Sequence, residues 1–256
     1  MRMIRCQALS IFVMLLAVSV SVTGLAATGT DEPDPEAILR QMDDAISGYQ
    51  DQAMDVTMTI LDTDGSKKSY DFSILQKGTS LRMVRMLSGE LKGMATLVED
   101  RDRVYVYLPG FKKVRRVASH NMNQRFAGSD FTNDDMAATT WANEYDATLE
   151  REDDSNWYLR CKPKPGVKAQ HPEALLVVDK LHGYQVSVEY LDADGTPVRR
   201  QDSSNLSDFG GAKRFSKVVM TDMRSGHSTI LSIRDFRVNR GLEDSLFSVR
   251  ALEWSR

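Results

Sequence analysis

The chain has 256 residues, of which 41% are hydrophobic and 27% are charged, with 16 Gly and 7 Pro. This composition excludes collagen-like, low-complexity and natively disordered chains, and the length suffices for one large domain or two small ones. The formal net charge of −3 argues against nucleic acid as a partner, because phosphate binding needs a clustered excess of Lys and Arg.

The first 27 residues have the pattern of a secretory signal peptide. Arg2 and Arg5 precede an apolar run at residues 8–22, and small residues follow at residues 24–27. This order is typical of a cleaved export signal, and the run is short for a retained membrane anchor. We therefore expect residues 1–27 to be removed and residues 28–256 to form a single exported domain.

The two cysteines do not predict a disulfide. Cys6 lies in the export signal, so Cys161 is alone in the mature chain. Cys161 also falls in a strand-like stretch, residues 157–162, where a buried structural residue is expected rather than a reactive nucleophile.

The mature chain is predicted to begin with an amphipathic helix. Asp34 followed by Pro35 is a helix-start signal, because the carboxylate accepts from free amides of the first turn and proline needs no partner there. Apolar residues then recur at spacings of three and four: Ile38, Leu39, Met42, Ile46 and Tyr49. We expect a helix of about four turns.

From residue 52 the apolar period changes to two, which indicates strands. Met54, Val56, Met58 and Ile60 alternate with polar residues, and Tyr70, Phe72 and Ile74 repeat the pattern after a turn at residues 62–65. Further strand-like runs lie at residues 81–87, 94–99, 104–108, 113–118, 145–151, 157–162, 174–179, 184–191, 198–202, 214–223 and 228–237. We expect about eleven strands with antiparallel neighbours.

A second, short helix is predicted at residue 132. Thr132 and Asp135 have the spacing of a capping box, and Phe131 and Met136 occupy the positions of a hydrophobic staple. A long sheet with one apolar face must curl or be covered. We therefore predict a mainly β fold with helices, an incomplete antiparallel β-barrel of about eleven strands with a helical lid or plug and no domain boundary.

The sequence carries no local motif for catalysis, a metal or a cofactor. The histidines are scattered without a paired ligand: His120, His171, His182 and His227. No nucleophile elbow, phosphate-binding loop or dinucleotide-binding glycine pattern is present. Adjacent acids such as Asp134 and Asp135 fit a helix start better than acid and base catalysis. We expect no metal, no cofactor and no enzymatic activity, and an unrecognised hydrolase with a dispersed site remains an alternative.

Methionines on the apolar strand faces have two interpretations. They fill a core, or they form an adaptable lining for a flexible apolar ligand. The candidate lining residues are Met54, Val56, Met58, Ile60, Phe72, Ile74, Val84, Met86, Val188, Met220, Leu231 and Ile233, and the candidate lid residues are Leu39, Met42 and Ile46. The facing of residues 81–87 stays open, because Met83 and Arg85 alternate with Val84 and Met86.

A cluster of four cations lies at Lys112, Lys113, Arg115 and Arg116. A solvated hairpin explains such a cluster. In an otherwise acidic protein the same residues are also candidates for docking on an acidic partner or on an anionic membrane surface. The loop that follows, residues 119–130, carries Met122 and Phe126 and is a candidate gate or contact site.

Two stretches carry a family resemblance. The first is VYLPGFKKVRRV at residues 106–117, continuing to FAGSDF at residues 126–131, and the second is GHSTIL at residues 226–231, continuing through Phe236 to residues 247–253. In these stretches the chain resembles bacterial outer-membrane lipoprotein-sorting proteins, the LolA-like periplasmic carriers. The resemblance implies an unclosed antiparallel barrel whose apolar face is covered by helices and takes up the acyl chains of a lipoprotein or lipid.

The resemblance also implies partners and a location. A carrier of this group works in the periplasm, receives cargo from an inner-membrane transporter, passes it to an outer-membrane acceptor, and makes transient membrane-surface contact. The alternative on the same fold is a periplasmic lipid or lipoprotein sensor, a regulatory binding module that works with an inner-membrane exporter of the RND or ABC type.

Overall fold

The protein is built on one antiparallel sheet. The computed structural model describes residues 33–137 and 140–254, so the predicted signal peptide at residues 1–27 lies outside the described residues. In these ranges the sheet has 13 strands. They are β1 (Asp51–Leu61), β2 (Lys67–Lys77), β3 (Leu81–Met86), β4 (Ala95–Asp100), β5 (Arg103–Leu108), β6 (Lys113–Arg116), β7 (Tyr145–Glu152), β8 (Asn156–Pro163), β9 (Glu173–Asp179), β10 (Gln185–Leu191), β11 (Pro197–Asp208), β12 (Lys213–Asp222) and β13 (Ser228–Val238). Their order across the sheet is β6-β5-β4-β3-β2-β1-β13-β12-β11-β10-β9-β8-β7.

The predicted incomplete antiparallel barrel with helices is confirmed, since the sheet formed by the described residues ends at β6 and β7 and does not close. The sheet of the described residues has 13 strands where about eleven were expected, because each alternating run forms a strand of its own. β11 extends beyond the predicted residues 198–202, because its second half pairs with β12, for example Leu206 with Phe215. The prediction missed this half because it is polar. A polar strand held by backbone pairing leaves no apolar alternation to detect.

Three α-helices accompany the sheet in the described ranges: α1 (Pro35–Ser47), α2 (Asn133–Met136) and α3 (Trp141–Glu144). Single 3-10 turns lie at Gly89–Leu91, Pro109–Phe111, Ser119–Asn121, Phe126–Gly128, Asp244–Phe247 and Val249–Glu253. None of these described helices has the length and apolar character needed to cross a bilayer.

The predicted helix starts are present in α1 and α2. Asp34 Oδ1 accepts from the amide of Glu36 at 3.0 Å and caps α1, which has 13 residues. In α2 the Asp135 amide donates to Thr132 Oγ1 at 3.2 Å and the Thr132 amide donates to Asp135 Oδ2 at 2.7 Å, so both halves of the capping box form.

Helix α3 has no signal in its own sequence. The amides of Trp141 and Ala142 donate to the Asp43 carboxylate at 2.9 and 2.8 Å. The cap of this helix is therefore supplied by a side chain of α1 that lies 98 residues earlier in the chain. Only tertiary structure brings this donor and acceptor together.

The two faces of the sheet have different covers. We call the face that carries Met58 the inner face and the face that carries Thr57 the outer face. Side chains of the C-terminal 3-10 turns, including Phe247 and Leu252, pack in one cluster with Met83 and Leu97 on the outer face. On the inner face, α1 covers β8 to β10, and residues 126–136 cover β1 to β3.

The structure decides the facing of residues 81–87. Val84 and Met86 belong to the inner-face cluster, whereas Met83 belongs to the outer-face cluster. Arg85 also lies on the outer face, where its Nη2 donates to the carbonyl oxygen of Ala251 at 2.7 Å. Each methionine of β3 therefore has a different environment, which makes the pair useful for testing the role of the inner face.

Candidate functional site

A continuous apolar surface crosses the inner face of the sheet. Cross-strand partners share a face, and the register pairs Met58 with Leu231, Val56 with Ile233, and Met54 with Ile74. All twelve candidate lining residues lie on this one face. Eleven of them belong to or pack against one cluster, and Val188 belongs to the neighbouring cluster under α1.

A segment with little regular secondary structure covers this surface. We call residues 119–137 the cover segment. Its side chains Phe126, Phe131 and Met136 belong to the same buried cluster as Met58 and Phe72. Met58 and Phe72 are each only 1% exposed, so the inner-face residues form a closed core in this conformation. Their contact with a ligand stays a prediction, and it requires the cover segment to move.

The cover segment is fastened to β13 around Asp130. The Asp130 amide donates to Thr229 Oγ1 at 2.9 Å, and the Thr229 hydroxyl donates to Asp130 Oδ2 at 2.7 Å. His227 Nδ1 lies 2.7 Å from the same carboxylate. Thr229 is fully buried, so water cannot replace these bonds while the segment is in place.

Two arginines of the sheet hold the rest of the cover segment. Arg82 Nη1 donates to the Met136 carbonyl oxygen at 2.8 Å, and Arg199 Nη2 donates to the Asp130 carbonyl oxygen at 3.1 Å. Inside the segment, Ala127 and Gly128 both have left-handed backbone, with φ of 52° and 76°. This turn lets Arg125 and Thr132 pair, and a non-glycine residue in the left-handed region costs about 1 kcal/mol.

The predicted lid residues lie on α1 as expected from their spacing. Leu39 and Met42 are fully buried against Leu159, Leu176 and Val188. Ile46 lies at the other end of the helix and lines a cavity. Helix α1 therefore closes one side of the inner face.

A cavity of about 260 Å³ lies next to Ile46, between α1, α3, the cover segment and strands β10 to β12. None of the twelve candidate lining residues borders it. Its walls are instead polar and aromatic, and include Arg82, Arg199, Arg214 and Tyr190. We call this space the polar cavity.

Some arginines of the polar cavity pair with carboxylates, and others have only neutral hydrogen-bond partners. Arg101 pairs with Asp134 at 3.0 Å and with Glu144, and Arg199 pairs with Asp135. Arg82 donates instead to Gln76 Oε1, at 2.8 Å from Nη2, and burial lowers its pKa to about 10. Burial also lowers the pKa of Arg214 and raises the pKa of Asp134. Each of these shifts has the direction that loss of hydration produces.

His171 lies on the wall of the polar cavity beside Tyr190, with ring centroids 5.2 Å apart. Burial, followed by the charge of Arg199, lowers the pKa of His171 to about 4. Its Nε2 has no hydrogen-bond partner among the described residues. The imidazole is therefore neutral at physiological pH.

The polar residues Arg82 and Gln52 were not predicted to lie on the inner face, although the strand periodicity indicates it. Arg82 is in phase with Val84 and Met86, and Gln52 is in phase with Met54. Polar residues in phase with an apolar strand face point to that face. The same periodicity that identified the apolar residues could have placed these two side chains on the inner face.

The candidate docking residues Lys112, Lys113, Arg115 and Arg116 are all exposed. They lie in the turn between β5 and β6 and on β6 itself, at an edge of the sheet. Phe111, next to them in the turn, is 69% exposed. The four predicted cations thus lie beside an exposed aromatic ring. Phe111 was not among the predicted docking residues.

Comparisons with known proteins bear on this geometry. A protein-family model described as "Uncharacterized protein" matches residues 78–254. No curated protein shows significant similarity to the chain. Among solved structures, a DUF1329 family protein from Desulfovibrio piger is 23% identical with a TM-score of 0.79, covering 86% of this chain and 100% of that chain.

Two further structures share the architecture. An outer membrane lipoprotein-sorting protein domain from Vibrio parahaemolyticus is 21% identical with a TM-score of 0.75, covering 86% of this chain and 98% of its own. A LolA superfamily protein from Nitrosomonas europaea is 20% identical with a TM-score of 0.72, covering 86% and 99%. The chain belongs to the family whose model spans residues 78–254, and it has the fold of the LolA superfamily and lipoprotein-sorting proteins.

Proposed function

We propose that this protein is a periplasmic carrier that holds acyl chains of a lipoprotein or lipid on the inner face of its sheet. The observation that supports the proposal is the closure of a wide apolar sheet face by the cover segment, which has little regular structure and is fastened by a few polar bonds. The cover segment offers a closure that can open without unfolding the strands.

The energetics suit such a carrier. Each methylene removed from water contributes about 0.8 kcal/mol, so an acyl chain gains enough to displace the cover residues Phe126, Phe131 and Met136 from the sheet. When the chain leaves, these three side chains close the surface again and keep it from water. Loading and release are then exchanges of one apolar cover for another.

Export and transfer complete the proposal. Residues 1–27 act as the signal peptide and are removed. The mature carrier takes cargo from an inner-membrane transporter and delivers it to an outer-membrane acceptor. Lys112, Lys113, Arg115 and Arg116, with Phe111, form the surface that meets a membrane or an acidic partner during transfer.

A disulfide lock tests whether the cover segment must open. Asp130 and Thr229 contact each other directly, so the double variant Asp130→Cys/Thr229→Cys joins the cover segment to β13 when oxidised. Cys161 does not compete, because it is buried and burial raises its pKa to about 12. We expect the oxidised variant to lose uptake of a fluorescent fatty acid and the same protein to regain it on reduction.

The control is the wild type under both redox conditions, which should bind equally well. Equal uptake by the oxidised and reduced double variant, once the disulfide is confirmed by mass spectrometry, would contradict the proposed role of the cover segment. Organic extraction and mass spectrometry of protein purified without detergent then identifies the natural cargo. Recovery of acyl species is the expected result.

A further inference from the structure

Two arginines of the polar cavity lack the carboxylate that such groups normally have. Arg82 and Arg214 both line the cavity, and after burial the nearby charge of Arg214 further disfavours the charged form of Arg82. Neither forms an ion pair with any carboxylate of the described residues. The positive charge of these two guanidinium groups is therefore not compensated by a paired carboxylate. This is unusual, because charged groups removed from bulk water are normally paired.

Neutral amides occupy the positions where carboxylates would be expected. Arg82 donates to Gln76 Oε1, and Arg214 Nη1 donates to Gln52 Oε1 at 3.2 Å. Gln52 and Gln76 are direct cross-strand partners on β1 and β2, and Gln76 is the partner of Arg82 on β3. The four side chains therefore form a polar group at one end of the apolar inner face.

The amide of Gln52, which accepts from Arg214, is itself incompletely hydrogen-bonded. Gln52 is 1% exposed, and its Nε2 has no hydrogen-bond acceptor among the described residues. A buried donor without an acceptor is costly, and here it lies beside a cation. Gln52 does not itself line the polar cavity, so an anionic oxygen bound there would neutralise the guanidinium groups of Arg82 and Arg214.

The other charged groups of the cavity do not supply this anion. Asp134 and Glu144 pair with Arg101, Asp135 pairs with Arg199, and Asp43 accepts from the amides that begin α3. Asp43, Asp134 and Glu144 outnumber Arg101, so the α3 side of the cavity is negative and the Arg82 side is positive. The remaining space of about 260 Å³ has room for a small polar headgroup but not for a bulky one.

From this arrangement we infer that Arg82 and Arg214 form a binding site for an anionic group, a carboxylate or a phosphate, at the end of an acyl chain. The inference rests on the proposed carrier function, because the chain itself would lie on the adjacent inner face. It names the class of cargo as anionic amphiphiles. Guanidinium groups suit carboxylate and phosphate oxygens because they offer two parallel N–H donors.

Titration calorimetry with four probes separates the headgroup from the chain. The probes are dodecanoate, dodecyl phosphate, 1-dodecanol and inorganic phosphate. We expect the two anionic amphiphiles to bind about ten-fold or more tightly than dodecanol, since a hydrogen bond to a charged group adds that much. Inorganic phosphate alone should bind far more weakly than dodecyl phosphate.

Variants assign the preference to the two arginines. Arg82→Gln and Arg214→Gln should each reduce the preference for anions over dodecanol, while Arg40→Gln, at an exposed ion pair of α1, should leave it unchanged. Arg214→Lys keeps the charge without the paired donors and should retain part of the preference. Circular dichroism checks that each variant is folded, and the wild-type comparison remains decisive if a variant is not.

The outcomes distinguish this inference from the carrier proposal. Equal binding of dodecanol and dodecanoate by the wild type overturns the anion site but leaves the carrier intact, as does an undiminished preference in both Gln variants. Binding of inorganic phosphate as tight as that of dodecyl phosphate supports the anion site and contradicts its use for acyl cargo. No binding of any probe overturns both.

Discussion

The bond between Thr229 and the cover segment gives a prediction with a calculable size. In Thr229→Val the side chain keeps its shape and suits the strand, but it loses the hydroxyl that donates to Asp130 Oδ2 and accepts from the Asp130 amide. The bond to the carboxylate contributes about 2 kcal/mol and the amide bond about 1 kcal/mol. Together they shift the closing equilibrium by about a hundred-fold.

Methionine oxidation measures this opening directly. Met58 lies under the cover segment and Met83 lies under the C-terminal turns on the other face, and both are almost fully buried. Hydrogen peroxide oxidises a buried methionine only when it becomes exposed. We expect Thr229→Val to oxidise at Met58 up to about a hundred-fold faster than the wild type, with little change at Met83. An equal increase at both positions would indicate global unfolding and refute the reasoning, as would no increase at Met58.

Four further outcomes are expected. Met86→Ala and Met83→Ala should each lower the free energy of unfolding by about 2–5 kcal/mol, yet only Met86→Ala should weaken fatty-acid binding, and equal weakening would contradict the inner-face assignment. Between pH 6.5 and 4 the unfolded chain protonates His171 while the folded chain does not, so urea unfolding should show about 1–2 kcal/mol of stability lost as pH falls, and less in His171→Gln. Cys161 should resist iodoacetamide in the native protein and react on unfolding, and rapid native labelling would contradict its burial. Phe111→Ser combined with reversal of the four neighbouring cations should abolish binding to anionic vesicles at low salt, and unchanged binding would exclude this edge as the docking surface.

Elements with local signals were predictable from the sequence. The start of α1 follows from Asp34 and Pro35, and the capping box of α2 follows from Thr132 and Asp135. The hairpin of β1 and β2 follows from strict alternation around a turn. In each case the residues that determine the structure lie within a few positions of one another, so the pattern contains the information.

Elements fixed by distant residues were not predictable. Helix α3 depends on Asp43, and the second half of β11 depends on pairing with β12. The cover segment was recognised as a candidate gate, but its attachment through Asp130 to Thr229 joins residues 99 positions apart. No local pattern encodes a contact of this kind.

The candidate site was predictable in part. The shared face of the twelve apolar residues follows from period-two alternation. The polar cavity does not, because α1, α3 and strands β10 to β12 contribute to it from distant parts of the chain. Arg82 and Gln52 are in phase with the apolar residues of their strands. Polar side chains in such positions are therefore expected to lie on the same face as the apolar ones.

The proposed function places an acyl chain on the inner face beneath the cover segment. Methionine-methyl NMR with a spin-labelled fatty acid tests it most directly, because Met58, Met86 and Met220 lie on that face and Met83 lies on the other. We expect strong paramagnetic broadening of the three inner-face signals on binding and an unaffected signal for Met83. Broadening of Met83 alone, or no broadening of the inner-face methionines at saturation with the ligand, would contradict it.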